Sequence, residues 1–314
     1  MNTDELSKNF FNYIISRVNN KKVLIYGKSK ILEEALKLIK MESTTVLGPA
    51  NASDGKSNII NYKNKAKEYH IIIPFLKQKK NHVDFLEHLG YHETDYTFIC
   101  EELKKYANNK ICIYNKNSIQ NVDSLANNDV LFVGRNNSLI LHYPINLVKN
   151  KFKFKNNCCV EILSSSHALK NSLFSLAYDN CKISIGRDFS SGGCEFICGE
   201  PNCRIEVGDD CMFSNQISVR PSDGHSIYDI QSKKIQNLHK DIVLKNHIWI
   251  GYRVVLLKSA CLSDNTIVGS GSIVTRKFIQ KNIAIAGNPA KIIKENVNWS
   301  RINPVQYINK VSCK

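Results

Sequence analysis

IVLKNHIWIGYRVVLLKSACLSDNTIVGSGSIV, residues 242–274, decides the fold. An aliphatic residue returns at every sixth position: Leu244, Ile250, Leu256, Leu262, Val268 and Val274. A helix repeats near 3.6 residues and a strand at 2, so neither element alone has this period. Six fits a chain that lays down a short strand, turns a corner and starts again, each coil stacking on the one below. Small residues often follow the aliphatic one (Gly251, Ser263, Gly269), as a tight corner requires.

Towards the N-terminus the same step returns at Val207, Phe213 and Val219, and ISIGRD (183–188), FICGE (196–200) and IEVGDDCMFS (205–214) are irregular relatives of it. Register then breaks, because Val219 to Leu244 spans 25 positions. Residues 221–241 are therefore expected to stand out from the coil as a loop, and a long loop in a compact solenoid usually carries function. The repeat domain is placed at 130–294, with a tail at 295–314.

Residues 1–118 read differently. Residues 3–18 have an amphipathic helical pattern, with Leu6, Phe10, Phe11, Ile14, Ile15 and Val18 on one face. KVLIYG (22–27), TTVL (44–47), HIIIPF (70–75), Tyr96–Ile99 and ICIY (111–114) are strand candidates, and helices are expected after the first and third, through about Lys40 and Leu89. Strand and helix in alternation imply an α/β unit with a parallel sheet. The turn YGKSKI resembles that of Rossmann-like domains but keeps only Gly27, so close approach of its backbone to a pyrophosphate is not expected. A polar stretch at 115–129 marks the boundary.

Composition excludes several classes. Forty-three Lys and Arg against 28 Asp and Glu give a net charge of +15. The lysines are scattered among asparagines, without the basic stripe and interleaved aromatics of a nucleic-acid binder. A positive field would draw an acidic glycan, a nucleotide-sugar or a CoA tail. No apolar run approaches a membrane span, and the N-terminus lacks the order of a secretory signal, so an integral membrane segment is not expected and a cytoplasmic location is. Eleven cysteines without an export signal predict reduced thiols. The spacing of Cys194, Cys198, Cys203 and Cys211 does not match paired zinc ligands, and these residues read as buried small hydrophobes.

HIWIG, VGSGSIVTRK and AGNPAKIIK, in this order within residues 242–294, resemble the hexapeptide-repeat acyltransferases, which fold as a left-handed parallel β-helix. Lys245 and Ser263 stand where that family usually has glycine, and Lys258 where a proline is common. The loop text RPSDGHSIYD (220–229), the HIWIG block and ENVNWSR (295–301) together resemble the capsular and surface-polysaccharide O-acetyltransferases.

Acyl transfer from a thioester to a hydroxyl needs a base for the hydroxyl proton and alignment of both substrates. Histidine is the side chain that titrates nearest neutral pH. The resemblance makes His225, in its Gly-His loop, the general base. Asp223 or Asp229 could hold its tautomer, and His247 is a rival base whose corner position suggests a structural hydrogen bond instead. Trp249 is either a buried aromatic or part of the acetyl and acceptor site. The resemblance further implies acetyl-CoA as donor and a homotrimer with pantetheine in the groove between neighbouring helices. No metal is expected, because His247 has no histidine partner at 242 or 252 with which to share a zinc ion. Tyr252, Ser270, Thr275, Arg276, Lys291 and Lys294 match the donor-contacting positions. The expected activity is O-acetylation of a sugar hydroxyl on a bacterial-type surface glycan (capsule, lipooligosaccharide or sialic acid). The alternatives are N-acetylation of a nucleotide-linked amino sugar and an inactive trimeric scaffold.

Overall fold

The computed structural model describes residues 108–312 except 117, and before them the strands Lys22–Tyr26, Thr44–Leu47, Tyr69–Ile73 and Tyr96–Phe98 with Leu86, Glu87 and Tyr91. The chain divides into two units, Met1–Asn108 and Asn109–Lys314. In the first, the four strands form one parallel sheet in the order Thr44–Leu47, Lys22–Tyr26, Tyr69–Ile73, Tyr96–Phe98. The amphipathic segment 3–18 and the helices expected after the first and third strands lie outside the described residues, apart from helical Leu86 and Glu87.

ICIY was expected to belong to that sheet. Instead Lys110–Asn115 opens the second unit, pairing in parallel with Ser138–His142 and antiparallel with Ser118–Val122. The polar stretch 115–129 thus contains the second strand of a hairpin at the edge of the next sheet, and the division falls between Asn108 and Asn109. A hairpin at that edge pairs backbone groups that would otherwise be open to another chain.

From Asp129 the chain winds through three parallel sheets in strict rotation, giving a three-sided β-helix. The first side runs from Asp129–Phe132 to Ile273–Val274, the second from Lys110–Asn115 to Lys277–Phe278, and the third from Asn146–Val148 to Ile283–Gly287. Leu244, Ile250, Leu256, Leu262, Val268 and Val274 fall on the second, third and first sides in turn, and none is more than 2 % exposed. Coils here advance 18 residues, as the pairs Val255–Ile273 and Val243–Cys261 record.

The earlier coils are longer. Leu173 pairs with Lys151 and Glu195 with Leu173, an advance of 22. The first and second sides there each bury two residues, as Phe152 with Phe154 and Val160 with Ile162 do, while the third buries only Leu169. One more inward side chain takes two more residues of strand, and two lengthened sides add four. Phe152, Phe174 and Phe196 stack through the first side with centroids 4.8 Å apart. Cys194, Cys198, Cys203 and Cys211 are in this core, at most 2 % exposed.

The corners use left-handed backbone. Asn136, Asn157, Asn180 and Asn202, all at positive φ, form an amide ladder at the edge from first to second side, with Nδ2–Oδ1 distances of 3.1–3.2 Å. Asparagine tolerates this conformation better than most residues. The last coil is covered by Ala290–Glu295, antiparallel to Ile283–Gly287. A helix, Pro304–Ser312, ends the described chain with Val305, Tyr307, Ile308 and Val311 exposed. No helix among the described residues is long and apolar enough to cross a membrane.

Candidate active site

The break in register is the expected loop. It leaves the first side after Ile217–Arg220 and rejoins the second at Ile242–Leu244. The loop is folded on itself: Gln236 N donates to Ile227 O (2.8 Å), Asp229 N to Lys234 O (2.9 Å) and Lys233 N to Asp229 O (2.9 Å). Gly224, at φ +78°, reverses the chain ahead of His225. A side chain at that φ would be strained, which accounts for Gly in the Gly-His pair.

His225 is exposed, and its imidazole bonds to no described residue. Its backbone is fixed instead. Asn237, 7 % exposed, donates from Nδ2 to His225 O (2.7 Å) and to Asp223 Oδ2 (2.8 Å), while its Oδ1 accepts from Ile227 N (2.7 Å). Asp223 does not hold the imidazole. Its carboxylate is paired with Lys258 and Asn237, and the hydrogen bond from Lys258, then that from Asn237, keep the carboxyl below its usual range. Asp229 is not bonded to the ring either; its Oδ1 accepts from Gln231 N, Ser232 N and Ser232 Oγ within the loop.

His247 is held at both ends. Nδ1 lies 2.6 Å from Asp210 Oδ2 and Nε2 lies 3.1 Å from the carbonyl of Trp299. The ring stacks on Trp299 at 4.2 Å, and Trp299 Nε1 donates to His247 O at 2.9 Å. Arg301 completes the lock, donating to Asp210 Oδ1, Ser190 Oγ, Asp188 O and Cys211 O. Both ring nitrogens of His247 are engaged, so neither faces open space where a substrate hydroxyl could approach, and the ring joins the tail to the solenoid.

Trp249 is not buried. It points outward from the third side, 39 % exposed, with its ring 6.2 Å from Trp299. Trp249, Ile267, Ala284 and Lys294 are successive register partners, so they form one column on that side. Lys291 pairs with Ala286 and shares this face, and both lysines are exposed. At the edge from third to first side, Tyr252 N donates to Ser270 Oγ (3.1 Å) and Tyr252 OH to Gln216 Oε1 (3.0 Å). Gly251 lets these coils close, since a Cβ there would meet Ser270 N at 2.7 Å. A groove of about 640 Å³ lined by Asn171, Gly192, Asn215, Gln216 and Ser218 runs beside Tyr252's partner. Thr275 and the Arg276 side chain, which lies over Phe278 at 5.1 Å, are at the edge from first to second side.

One chain therefore gathers these residues in two places. Asp223, His225, Thr275 and Arg276 occupy the edge between the first and second sides. Trp249, Tyr252, Ser270, Lys291 and Lys294 occupy the third side and its far edge. Asn237 and Lys258 were missed from sequence. No cluster of three or more His, Cys, Asp or Glu among the described residues could hold a metal ion.

The chain is 30% identical over 169 residues to a polysialic acid O-acetyltransferase of Neisseria meningitidis, covering 54% of this chain and 78% of that protein. The chain belongs to the hexapeptide-repeat acyltransferase family. A second member, a polysialic acid O-acetyltransferase of Escherichia coli O1:K1, is 37% identical over 135 residues, and the match spans 43% of each protein. Galactoside O-acetyltransferase of Escherichia coli K12 is 31% identical over 91 residues, 29% of this chain and 44% of that acetyltransferase. Among solved structures, the polySia-specific acetyltransferase NeuO is 26% identical with a TM-score of 0.39, covering 65% of this chain and 99% of that one. The polysialic acid O-acetyltransferase OatWY is 24% identical with a TM-score of 0.43, over 65% of this chain and 94% of that one. No family model matches the chain.

Proposed function

We propose that this acyltransferase moves an acetyl group from acetyl-CoA to a sugar hydroxyl of an acidic surface glycan, with polysialic acid the first acceptor to test. The observation that carries the reading is His225: an exposed imidazole, free of described partners, on a loop whose backbone is held at His225 O and Ile227 N. A general base must have a ring nitrogen open to substrate and a fixed position, and both nitrogens of His247 are engaged within the protein. Support for the acceptor comes from the two polysialic acid O-acetyltransferases among the relatives and from the net charge of +15, which suits a polyanion.

The reaction is direct transfer. His225 takes the hydroxyl proton as the sugar oxygen attacks the thioester carbonyl carbon. The carbon–sulfur bond then breaks, the sulfur takes the proton from the imidazolium, and the products are the O-acetyl sugar and free CoA. No serine or cysteine nucleophile is needed. Tyr252, Ser270, Thr275 and Arg276 would line the donor, Lys291 and Lys294 would meet its phosphates, and Trp249 would border the acetyl group. The separation of the two residue groups is met if the protein is a homotrimer in which one subunit's His225 edge faces the third side of the next. Acetyl-CoA supply places the reaction in the cytoplasm.

The test is thiol release from acetyl-CoA with oligomeric polysialic acid as acceptor. His225→Ala is expected to lower turnover by about 10²–10⁴-fold with acetyl-CoA affinity kept. Full turnover in that variant would move the base elsewhere.

A further inference from the structure

Lys258 stands where the family commonly has proline, and as sequence it is only a departure at a corner. In the structure it is the outer member of a small network under the loop. Its Nζ donates to Asp223 Oδ2 and to Asn237 O (3.2 Å). Asn237 in turn bonds Asp223 Oδ2, His225 O and Ile227 N. Lys258 follows the strand Val255–Leu257 on the coil after the loop, so the network ties the loop base to the solenoid.

We infer that Lys258, Asp223 and Asn237 form a clamp that positions His225, an inference resting on the reading of His225 as the base. Three facts point this way. The imidazole has no described partner of its own, so its location derives from its backbone. Asn237 extends the backbone pairing of the loop beyond the bond from Gln236 N to Ile227 O, accepting from Ile227 N and donating to His225 O. The amide is nearly buried, and leaving its partners unpaired there carries a desolvation cost, so the arrangement holds one geometry. Lysine rather than proline at 258 supplies the charge that keeps Asp223 turned towards Asn237 and away from the imidazole. In this chain Asp223 therefore acts through the loop, as a positioning residue, rather than by holding the ring.

The experiment compares Lys258→Met, Lys258→Arg, Asn237→Ala and His225→Ala in the full chain. Hydrogen exchange is followed at the Ile227 amide, and turnover is measured with acetyl-CoA and oligomeric polysialic acid. For Lys258→Met and Asn237→Ala, Ile227 exchange should rise at least about tenfold. Their kcat should fall about 10- to 100-fold, with the KM for acetyl-CoA within about twofold of the parent. Lys258→Arg should recover kcat to within about threefold, which a purely structural loss would not show. Unchanged exchange at Ile227 in Lys258→Met overturns the clamp whatever the activity. Faster exchange with unchanged kcat, while His225→Ala is inactive, overturns its positioning role and leaves the base assignment standing. If His225→Ala keeps full turnover, the base assignment fails and the positioning role fails with it.

Discussion

At the residue scale, two histidines with similar sequence credentials are separated by what their nitrogens meet. His225 keeps both ring nitrogens clear of described partners, whereas His247 gives one to Asp210 and the other to the Trp299 carbonyl. The second arrangement makes a pH-sensitive tail lock. Burial opposes ionisation of Asp210, but hydrogen bonds from Arg301 and His247, with their charges, outweigh it and hold the carboxyl below its ordinary range. A carboxyl lowered on folding contributes stability above its unfolded pKa of about 3.9 and loses it as pH falls through the lower folded value. Tail docking is therefore expected to persist at neutral pH and to fail on acidification below about pH 4. Tryptophan fluorescence from Trp299, which stacks on His247, reports it. Asp210→Asn should already be loosened at pH 7 and show no further acid step. An acid step unchanged in that variant would place the titrating group elsewhere. The Gly-His text exposed His225 to sequence reading, because a reversal and a titratable ring sit side by side in it. Nothing local marked Asn237, whose partners lie 10 to 14 residues back across the folded loop, and Lys258 was marked only as a departure from proline, since it meets Asp223 and Asn237 only when the coil closes.

At the scale of elements, side length governs both stability and legibility. Phe174 is fully buried, with Phe152 and Phe196 each 4.8 Å away through the first side. Rigid coils above and below cannot collapse into the space it fills, so Phe174→Ala is expected to cost about 3–5 kcal/mol. Urea unfolding of the full chain measures this, and a loss under about 1 kcal/mol would mean that the stack relaxes around the gap. The coils near Leu244 were readable because their three sides have one length, which fixes the step at six. In the coils of Phe152 and Phe174 the first and second sides are each longer by one inward residue, so the same architecture advances 22 and no single six-residue frame runs through it. Its ladder of aromatic pairs, KFKF over LFSL over EFIC, was the signal available. ICIY was misplaced for a related reason. An alternating apolar strand fits either neighbouring sheet, and only its pairing with Ser138–His142 assigns it.

For the whole molecule, the informative fact is that one chain puts the His225 edge and the Trp249 face on different sides of the solenoid. If a trimer completes each site from two subunits, a defect on one edge and a defect on the other face can compensate when they sit in different chains. His225→Ala and Trp249→Ala are the pair to mix, since the first alters the loop edge and the second the third side, and neither is part of the buried core. Each homogeneous variant is expected to be nearly inactive. Unfolded together in equal amounts and refolded, randomly assembled trimers should place an intact His225 against an intact Trp249 in about a quarter of the sites. Thiol release from acetyl-CoA should then rise to about a quarter of the parental rate. A site built within one chain would give no such recovery, because every chain in the mixture carries one of the two lesions. A monomer by light scattering at micromolar concentration would remove the neighbouring subunit from the argument altogether.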